Sequence, residues 1–370
     1  MKMANKSILI WFVFVLLFHA ASAQDKGLMA QYQSDLVQLF DQTIAAPTDN
    51  ERYHANEAAV QLLTEALGAD NSFRWEWDFG NKVSVLTSPD KKFRIFTWPI
   101  VNDAGEYECF GIVQALNERT KEYDVYQLND RSEVIINRQE DILSPDRWYG
   151  AVYQELITTS YDGRTYYTLL GWNGVDNLTQ RKVIEPICFK SGGSMPQFGQ
   201  NLFRKEPNLR RVVLEYSHNA MVTLRYEEQY LRFTERIRAK RRSGQSFFSS
   251  LFSRSSRPRG RGRGRGRPSR PVSTAARTSA AVQKNTSNRP AYKTTDKKLR
   301  MIIFDQVAPQ VPGMEGLYQY YVPSGVEMAY VFSDGKWELH DSAQGRATDK
   351  KLNKDFDKPI QKQPPAYQVE

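Results

Sequence analysis

The chain has 370 residues, with 51 Lys and Arg against 42 Asp and Glu, and 12% of its residues are aromatic. The excess positive charge is confined to residues 232–300, where 21 Lys and Arg face two acids, so the chain without this segment and its first 23 residues carries −12. This partition excludes a uniformly basic body, and the roughly 280 residues that remain suffice for one large domain or two ordinary ones.

Residues 1–23 predict a secretory signal peptide. Lys2 and Lys6 supply the positive charge, residues 8–18 are apolar, and Ala23 ends a pattern of small residues that is typical of a cleavage site. Eleven apolar residues are too few to span a bilayer, which needs about 20. We therefore expect an exported chain, periplasmic or extracellular, that is cleaved near Ala23 and has no transmembrane span in its mature form.

Residues 24–70 predict an N-terminal helical region. Two apolar stripes follow a helical period, in residues 29–40 and 58–67. A turn at residues 47–50 separates them, with Asp49 or Asn50 as the expected N-cap, and Gly68 ends the pair.

Residues 71–231 predict the first part of a β-rich body. The apolar period changes to two at residues 73–79, and Tyr161-Asp-Gly163 is one of several turns between short strands. Residues 148–159, preceded by Ser144 and Pro145, instead predict a helix. The other predicted strands are residues 83–87, 93–100, 108–116, 123–128, 133–137, 165–172, 180–189, 211–217 and 220–226.

Residues 301–345 complete the predicted body, with a hairpin turn at Asp334-Gly335, and residues 346–370 form a polar tail. The fold class that follows is α+β and mainly antiparallel β. We expect a helical pair plus a large meander sheet, sandwich or barrel-like, with a long disordered basic loop. The completing strands are predicted at residues 301–307, 318–322, 327–332 and 336–339.

Residues 232–300, the basic arm, predict a disordered Arg/Gly-rich insertion between two adjacent strands. An apolar group in the arm could touch a membrane surface; its members are Phe247, Phe248, Leu251 and Phe252. Contacts to polyanions are expected from the arginines of the repeat, which are Arg257, Arg259, Arg261, Arg263, Arg265, Arg267 and Arg270.

The partners of the arm follow from export. Arg265-Gly-Arg-Pro268 matches the core of a minor-groove DNA-binding peptide, but an exported chain does not meet chromosomal DNA. The expected partners are anionic envelope lipids, glycans or other extracellular polyanions. An arm with no partner, or one that folds back on the acidic body, remains open.

The sequence contains little that predicts catalysis. Cys109 and Cys188 could form a disulfide or stay buried thiols, and no motif predicts a metal or a cofactor. Glu76 and Asp78 alternate with tryptophans, so they could act as paired carboxylates of a carbohydrate-processing hydrolase, or form a solvated face over an aromatic core.

Several runs resemble uncharacterised secreted proteins of Bacteroidetes-type bacteria. The resemblance covers residues 70–231 and 301–340, implies an exported envelope protein, and implies no activity. A non-enzymatic exported envelope protein with a binding or structural role is therefore the leading expectation, with the hydrolase as the alternative. The runs are Tyr166-Tyr-Thr-Leu-Leu-Gly-Trp-Asn-Gly174, Ile303-Phe-Asp305 with Pro309, and Tyr320-Tyr-Val-Pro323 followed by Asp334-Gly-Lys-Trp337.

Overall fold

The computed structural model describes residues 26–236 and 292–341, with side chains for residues 26–231 and 295–340. The predictions for the signal peptide, for most of the basic arm and for the polar tail lie outside these residues. The chain divides into two units, Met1–Leu231 with Lys298–Glu370 and Arg232–Lys297.

Two helices open the first unit, as predicted. Helix α1 covers residues 26–45, and α2 covers Asp49–Gly68. The N-cap of α2 is Thr48 rather than Asp49 or Asn50, because Thr48 still has extended backbone angles and its hydroxyl accepts the Glu51 amide. The Thr48 hydroxyl also donates to the Glu51 carboxylate at 2.9 Å, which holds the first turn of α2 together.

The predicted α+β class with an antiparallel meander is confirmed, and the strands are distributed over three sheets. Sheet 1 has the order β1-β2-β3-β4, sheet 2 the order β5-β6-β7-β8 with β9 also paired to β7, and sheet 3 the order β10-β11-β12-β13. The strands are β1 (Ser84–Thr87), β2 (Phe93–Val101), β3 (Tyr107–Leu116), β4 (Tyr123–Asn129), β5 (Val152–Tyr161), β6 (Arg164–Asn173), β7 (Thr179–Phe189), β8 (Pro196–Phe198), β9 (Val212–Ser217), β10 (Leu224–Arg236), β11 (Tyr292–Pro309), β12 (Tyr321–Ser333) and β13 (Lys336–Asp341).

Three apolar clusters join the helices and sheets into layers. The helices pack on one face of sheet 1, where Phe40 and Leu63 meet Trp98. The other face of sheet 1 packs on sheet 2 through residues such as Phe93 and Tyr167. The second face of sheet 2 and sheet 3 share the third cluster, whose members include Ile157, Leu170, Ile184, Ile302, Tyr330 and Trp337.

The predicted strand at residues 73–79 is wrong, although its alternation is real. Phe73 belongs to a short 3-10 helix, and residues 76–79 pair with no strand. Trp77 and Phe79 are buried and Asp78 is exposed. The apolar side chains pack against the helices instead of forming one face of a sheet. The alternation of apolar and polar residues therefore reflects which side chains are buried, and not pairing with another strand.

Three further predicted elements are wrong. The strand predicted at residues 318–322 begins instead as a 3-10 helix, Tyr318–Tyr320, and β12 starts at Tyr321. Residues 133–137 lie in turns, because the amides of Val134 and Ile135 donate to the Arg131 carbonyl instead of to a neighbouring strand. The helix predicted at residues 148–159 is replaced by β5, which follows a 3-10 turn at Pro145–Arg147. The Asp-Gly turn at residues 162–163 pairs β5 with β6 as a hairpin, and the β-branched run at residues 157–159 favours the extended form.

The strands that flank the basic arm are hydrogen-bonded neighbours, as the sequence predicted. Their ends differ from the expected limits, since β10 continues to Arg236 and β11 begins at Tyr292. Residues 237–291 therefore connect two adjacent strands of sheet 3. Within the described part of the chain, no helix has both the length and the apolar character needed to cross a membrane.

Candidate functional site

The carboxylates singled out from the sequence, Glu76 and Asp78, are exposed and line neither of the two clefts described below. Asp78 accepts a hydrogen bond from the Gly80 amide at 2.8 Å. The neighbouring Trp77 is buried among the helices. This placement matches a polar outer face over an aromatic core.

The predicted contacts of the basic arm lie outside the described residues. This applies to the seven arginines from Arg257 to Arg270 and to the apolar group Phe247, Phe248, Leu251 and Phe252. The predicted cleavage site at Ala23 lies outside them as well.

The candidate disulfide is not formed, because Cys109 and Cys188 are both free thiols. Cys109 is buried in β3 opposite Pro99 of sheet 1, and Cys188 lies in β7 opposite Gln197 of sheet 2. Burial raises the pKa of both thiols, that of Cys109 well above its ordinary value. Neither cysteine therefore has the character of a reactive nucleophile.

The most heavily buried charges form a network inside sheet 2. The Arg211 guanidinium donates to the Glu185 carboxylate, and both side chains are 0% exposed. The Tyr153 hydroxyl donates to the same carboxylate and accepts the Trp148 indole N–H at 2.9 Å. Further donors of Arg211 bind the backbone carbonyls of Arg138 and Phe198. Because no solvent reaches these groups, the network stabilises the fold and is closed to a ligand.

One cleft, which we call the acidic cleft, has a volume of about 370 Å³ and lies where loops of sheets 1 and 2 meet α2. Five carboxyl groups and one arginine line it. The lining residues are Tyr53, Asn102, Glu106, Tyr107, Glu108, Asp130, Arg131, Ser132, Glu133, Val134, Val175 and Asp176.

Asp130 is a partly buried carboxyl group of the acidic cleft. It accepts the backbone amides of Cys109 at 3.0 Å and of Ser132 at 2.8 Å. Its carboxylate lies against Gly150, where a Cβ would overlap it, and Gly150 has a φ of +72°. Burial raises the pKa of Asp130 against the effect of the two amides, and the charge of Glu108 adds to the rise.

Two tyrosines form the aromatic part of the acidic cleft. Burial and the neighbouring Glu108 raise the pKa of Tyr53 to about 12, so the phenol stays neutral. Tyr107 packs edge-on against Trp172, with ring centroids 5.3 Å apart. Its backbone amide donates to the Val175 carbonyl at 2.8 Å, which ties β3 to the loop between β6 and β7.

Val175 is held in the left-handed region of backbone space, with a φ of +54°. A β-branched residue is strained there, typically by about 1–3 kcal/mol. Its amide donates to the Asn173 side chain and its carbonyl accepts the Tyr107 amide, so both backbone groups are bound. The strain lies at the wall of the acidic cleft, next to Asp176, whose carboxylate accepts the amides of Leu178 and Thr179.

The arrangement of the acidic cleft suits a cation. Carboxyl groups from several sides attract positive charge, and tyrosine faces add a cation–π component. Within residues 26–236 and 292–341, no three His, Cys, Asp or Glu side chains are grouped so that they could hold a metal ion.

The sequence did not predict this site, because its carboxyl groups come from three separate segments. Glu106 and Glu108 lie at the start of β3, Asp130 and Glu133 follow β4, and Asp176 lies between β6 and β7. The sequence did show that the body has a net negative charge, but a net charge does not show where in the fold the carboxyl groups come together.

No protein-family model, no curated protein and no solved structure matches this chain.

Proposed function

We propose that the protein is a non-enzymatic binding protein of the cell envelope, whose body takes a small organic cation in the acidic cleft. The observation that supports this most is the convergence of five carboxyl groups and two tyrosines on one cleft of about 370 Å³. An amine or a guanidine would meet charge-assisted acceptors at its cationic end and tyrosine rings along its carbon chain.

Binding of spermidine and of arginine amide to the full chain, measured by calorimetry, tests this function. The variant Glu106→Gln/Glu108→Gln removes two exposed charges of the acidic cleft. We expect it to weaken binding about tenfold, since charge-assisted hydrogen bonds contribute about 1.5 kcal/mol or more. Glu57→Gln/Glu140→Gln makes the same charge change at exposed positions outside the cleft and should bind as the wild type does. Equal affinities for all three proteins would contradict the proposal.

The basic arm is proposed to hold the protein at an anionic surface of the envelope. Its support is the charge partition, with 21 basic residues against two acids in residues 232–300. Vesicles with and without anionic lipid test it, using the full chain and a variant with Gln at the seven repeat arginines. Binding should need anionic lipid, fall steeply as salt rises, and weaken in the variant. Salt-independent binding that the substitutions leave unchanged would contradict it.

Export and kinship with the secreted proteins of Bacteroidetes-type bacteria belong to the same proposal. They are supported by the signal-like residues 1–23 and by the runs that carry the resemblance. N-terminal sequencing of the protein recovered from the envelope fraction of an expressing bacterium tests export. A chain that begins near Gln24 supports it, and an intact N-terminus in the cytoplasm contradicts it.

A carboxylate hydrolase is a second candidate, now with a different pair of residues. The raised pKa of Asp130 beside Glu108 favours it, because glycoside hydrolysis uses two carboxyl groups whose surroundings move their pKa values apart. Chromogenic glycosides incubated with the wild type and with Glu108→Gln test it. Turnover that is lost in the variant would support the hydrolase, and no turnover above the blank would dismiss it.

A further inference from the structure

A second cleft, about 450 Å³ in volume, lies at the other end of sheet 2. It is formed by the turn between β5 and β6, the end of β7 with the loop that follows, and the start of β2 in sheet 1. We call it the basic cleft. The lining residues used below are Lys92, Glu118, Arg164, Tyr166, Phe189 and Lys190.

Two of the three cations that line the basic cleft have no carboxylate partner among the described residues, whereas several other arginines of the body do. Within the described residues, neither Arg164 nor Lys190 has a carboxylate within 4 Å, and the polar contact of the Lys190 ammonium is the Met195 sulfur at 3.3 Å. Lys92 shares the single acid of the cleft, Glu118, at 3.1 Å. By contrast, each of the following is paired with a carboxylate: Arg138, Arg181, Arg211 and Arg225.

A fourth cation, Arg119, lies at the rim of the basic cleft, against the turn that contains Gly192. Gly192 has a φ of +68°, and a Cβ there would lie 3.2 Å from the Nε and Nη2 atoms of Arg119. The missing side chain lets the Arg119 guanidinium lie against the turn at the mouth of the cleft. Arg119 also has no carboxylate within 4 Å among residues 26–236 and 292–341.

Aromatic side chains make the wall of the basic cleft apolar. Phe189 packs on Phe93 with ring centroids 4.9 Å apart, and Tyr166 lies against Phe332 at 5.6 Å. The hydroxyl of Tyr167 is already bound to Asp90, so the wall offers ring surface more than free donors. Such a wall suits the carbon skeleton of a ligand, and the cations suit its anionic group.

We propose that the basic cleft binds the phosphate group of a small phosphorylated organic molecule. Three cations without carboxylate partners match the double charge of a phosphate monoester better than the single charge of a carboxylate. Arginine forks and lysine ammonium groups are the side chains that recognise such oxygens. The molecule can be a soluble sugar phosphate or the headgroup of a phospholipid, since both present the same group.

Calorimetry on the full chain at about 150 mM salt tests the proposal with four probes: inorganic phosphate, glucose 1-phosphate, dihexanoyl phosphatidic acid and glucose. We expect glucose 1-phosphate or the short-chain lipid to bind and glucose not to bind. Preference for glucose 1-phosphate identifies a soluble source, and preference for the lipid identifies a headgroup. If no phosphorylated probe binds, the proposal is overturned.

The variant Arg164→Gln/Lys190→Gln locates the site, because both residues are exposed. Affinity for the preferred probe should fall about tenfold. Arg74→Gln/Lys205→Gln removes the same charge from exposed positions outside the cleft and should leave affinity unchanged. The basic arm is identical in all these proteins, so its own attraction for phosphate cancels in the comparison. Equal loss in both variants would assign the binding to net charge and overturn the site.

Hydrogen exchange gives a readout that needs no substitution. The phosphorylated probe should protect the amides of residues 162–166 and 188–195, and spermidine should not. The variant Glu106→Gln/Glu108→Gln should keep its affinity for the phosphorylated probe. Failure of the acidic cleft can thus be told apart from failure of the basic cleft.

Discussion

At the scale of single residues, the buried pair Arg211 and Glu185 has the largest expected effect on stability. Both charges are removed from water, and they are tolerated because carbonyls, a phenol and each other satisfy them. A buried ion pair adds little net stability compared with apolar residues of the same size, but breaking it leaves a charge without a partner.

We therefore expect Glu185→Gln to lower the free energy of unfolding by about 3–5 kcal/mol, measured by urea unfolding. The double variant Glu185→Gln/Arg211→Met should recover part of that loss, since it removes the stranded charge. Arg147→Gln breaks an exposed pair with Asp141 and should cost less than about 1 kcal/mol. A single variant no worse than this control would contradict the role given to the pair.

The raised pKa of Asp130 makes stability depend on pH in a definite direction. The folded chain holds this proton at higher pH than the unfolded chain does, so stability falls as pH rises from the ordinary value of 3.8 to the raised value. The variant Asp130→Asn has no titrating group at this position, so its stability lacks this pH dependence. The stability of the wild type relative to this variant should therefore be greatest below pH 4 and decline toward neutral pH.

Urea unfolding of both proteins between about pH 3 and pH 7 measures this difference. The variant also loses one side-chain oxygen that accepts a backbone amide, which shifts its curve without changing the sign of the slope. A difference that grows with pH would show that the carboxylate is favoured in the fold, and would contradict the raised pKa.

At the scale of elements, period and turn chemistry predicted most strands of the sheets, and the errors have physical reasons. The Asp-Gly turns at residues 162–163 and 334–335 join strands as expected. Residues 73–79 alternate because they cover the helices, not because they pair. No local pattern could show that Tyr53, Glu108, Asp130 and Val175 meet, since that meeting depends on how sheet 1, sheet 2 and α2 pack.

Val175→Gly tests the strain in the loop between β6 and β7. Relief of the left-handed β-branched backbone should exceed the entropy cost of glycine, and we expect a gain of about 1 kcal/mol in the free energy of unfolding. Val134→Gly, at an exposed position without a positive φ, should give no gain. If Val175→Gly destabilises the protein as much as Val134→Gly does, the loop carries no strain that matters.

At the scale of the whole molecule, the body is built from two stretches of chain separated by the basic arm. Sheet 3 completes the core from residues on both sides of the arm, yet β10 and β11 are neighbours. The connection between the two strands is shorter than the insertion predicted at residues 232–300, because β10 continues to Arg236 and β11 begins at Tyr292.

Deletion of residues 244–291, bridged by a short linker, should leave a body that melts cooperatively. The shorter connection should raise the free energy of unfolding by about 1 kcal/mol, because each doubling of a loop costs about 0.6 kcal/mol. Thermal unfolding followed by tryptophan fluorescence and near-UV circular dichroism measures both. A broad transition without a near-UV signal would mean that the body needs the arm to fold.

Trp337, near the end of the described chain, packs against residues that are synthesised much earlier. Its indole is fully buried and donates to the Thr168 hydroxyl at 3.0 Å, 169 positions earlier in the chain, while its amide donates to the Leu202 carbonyl. The face of sheet 2 that packs on sheet 3 is therefore not fully covered until β13 has been synthesised, and at ordinary rates of translation residues 237–291 alone add several seconds to that wait. During this interval the growing chain presents an open apolar surface, so the protein is exposed to aggregation during its synthesis more than after it.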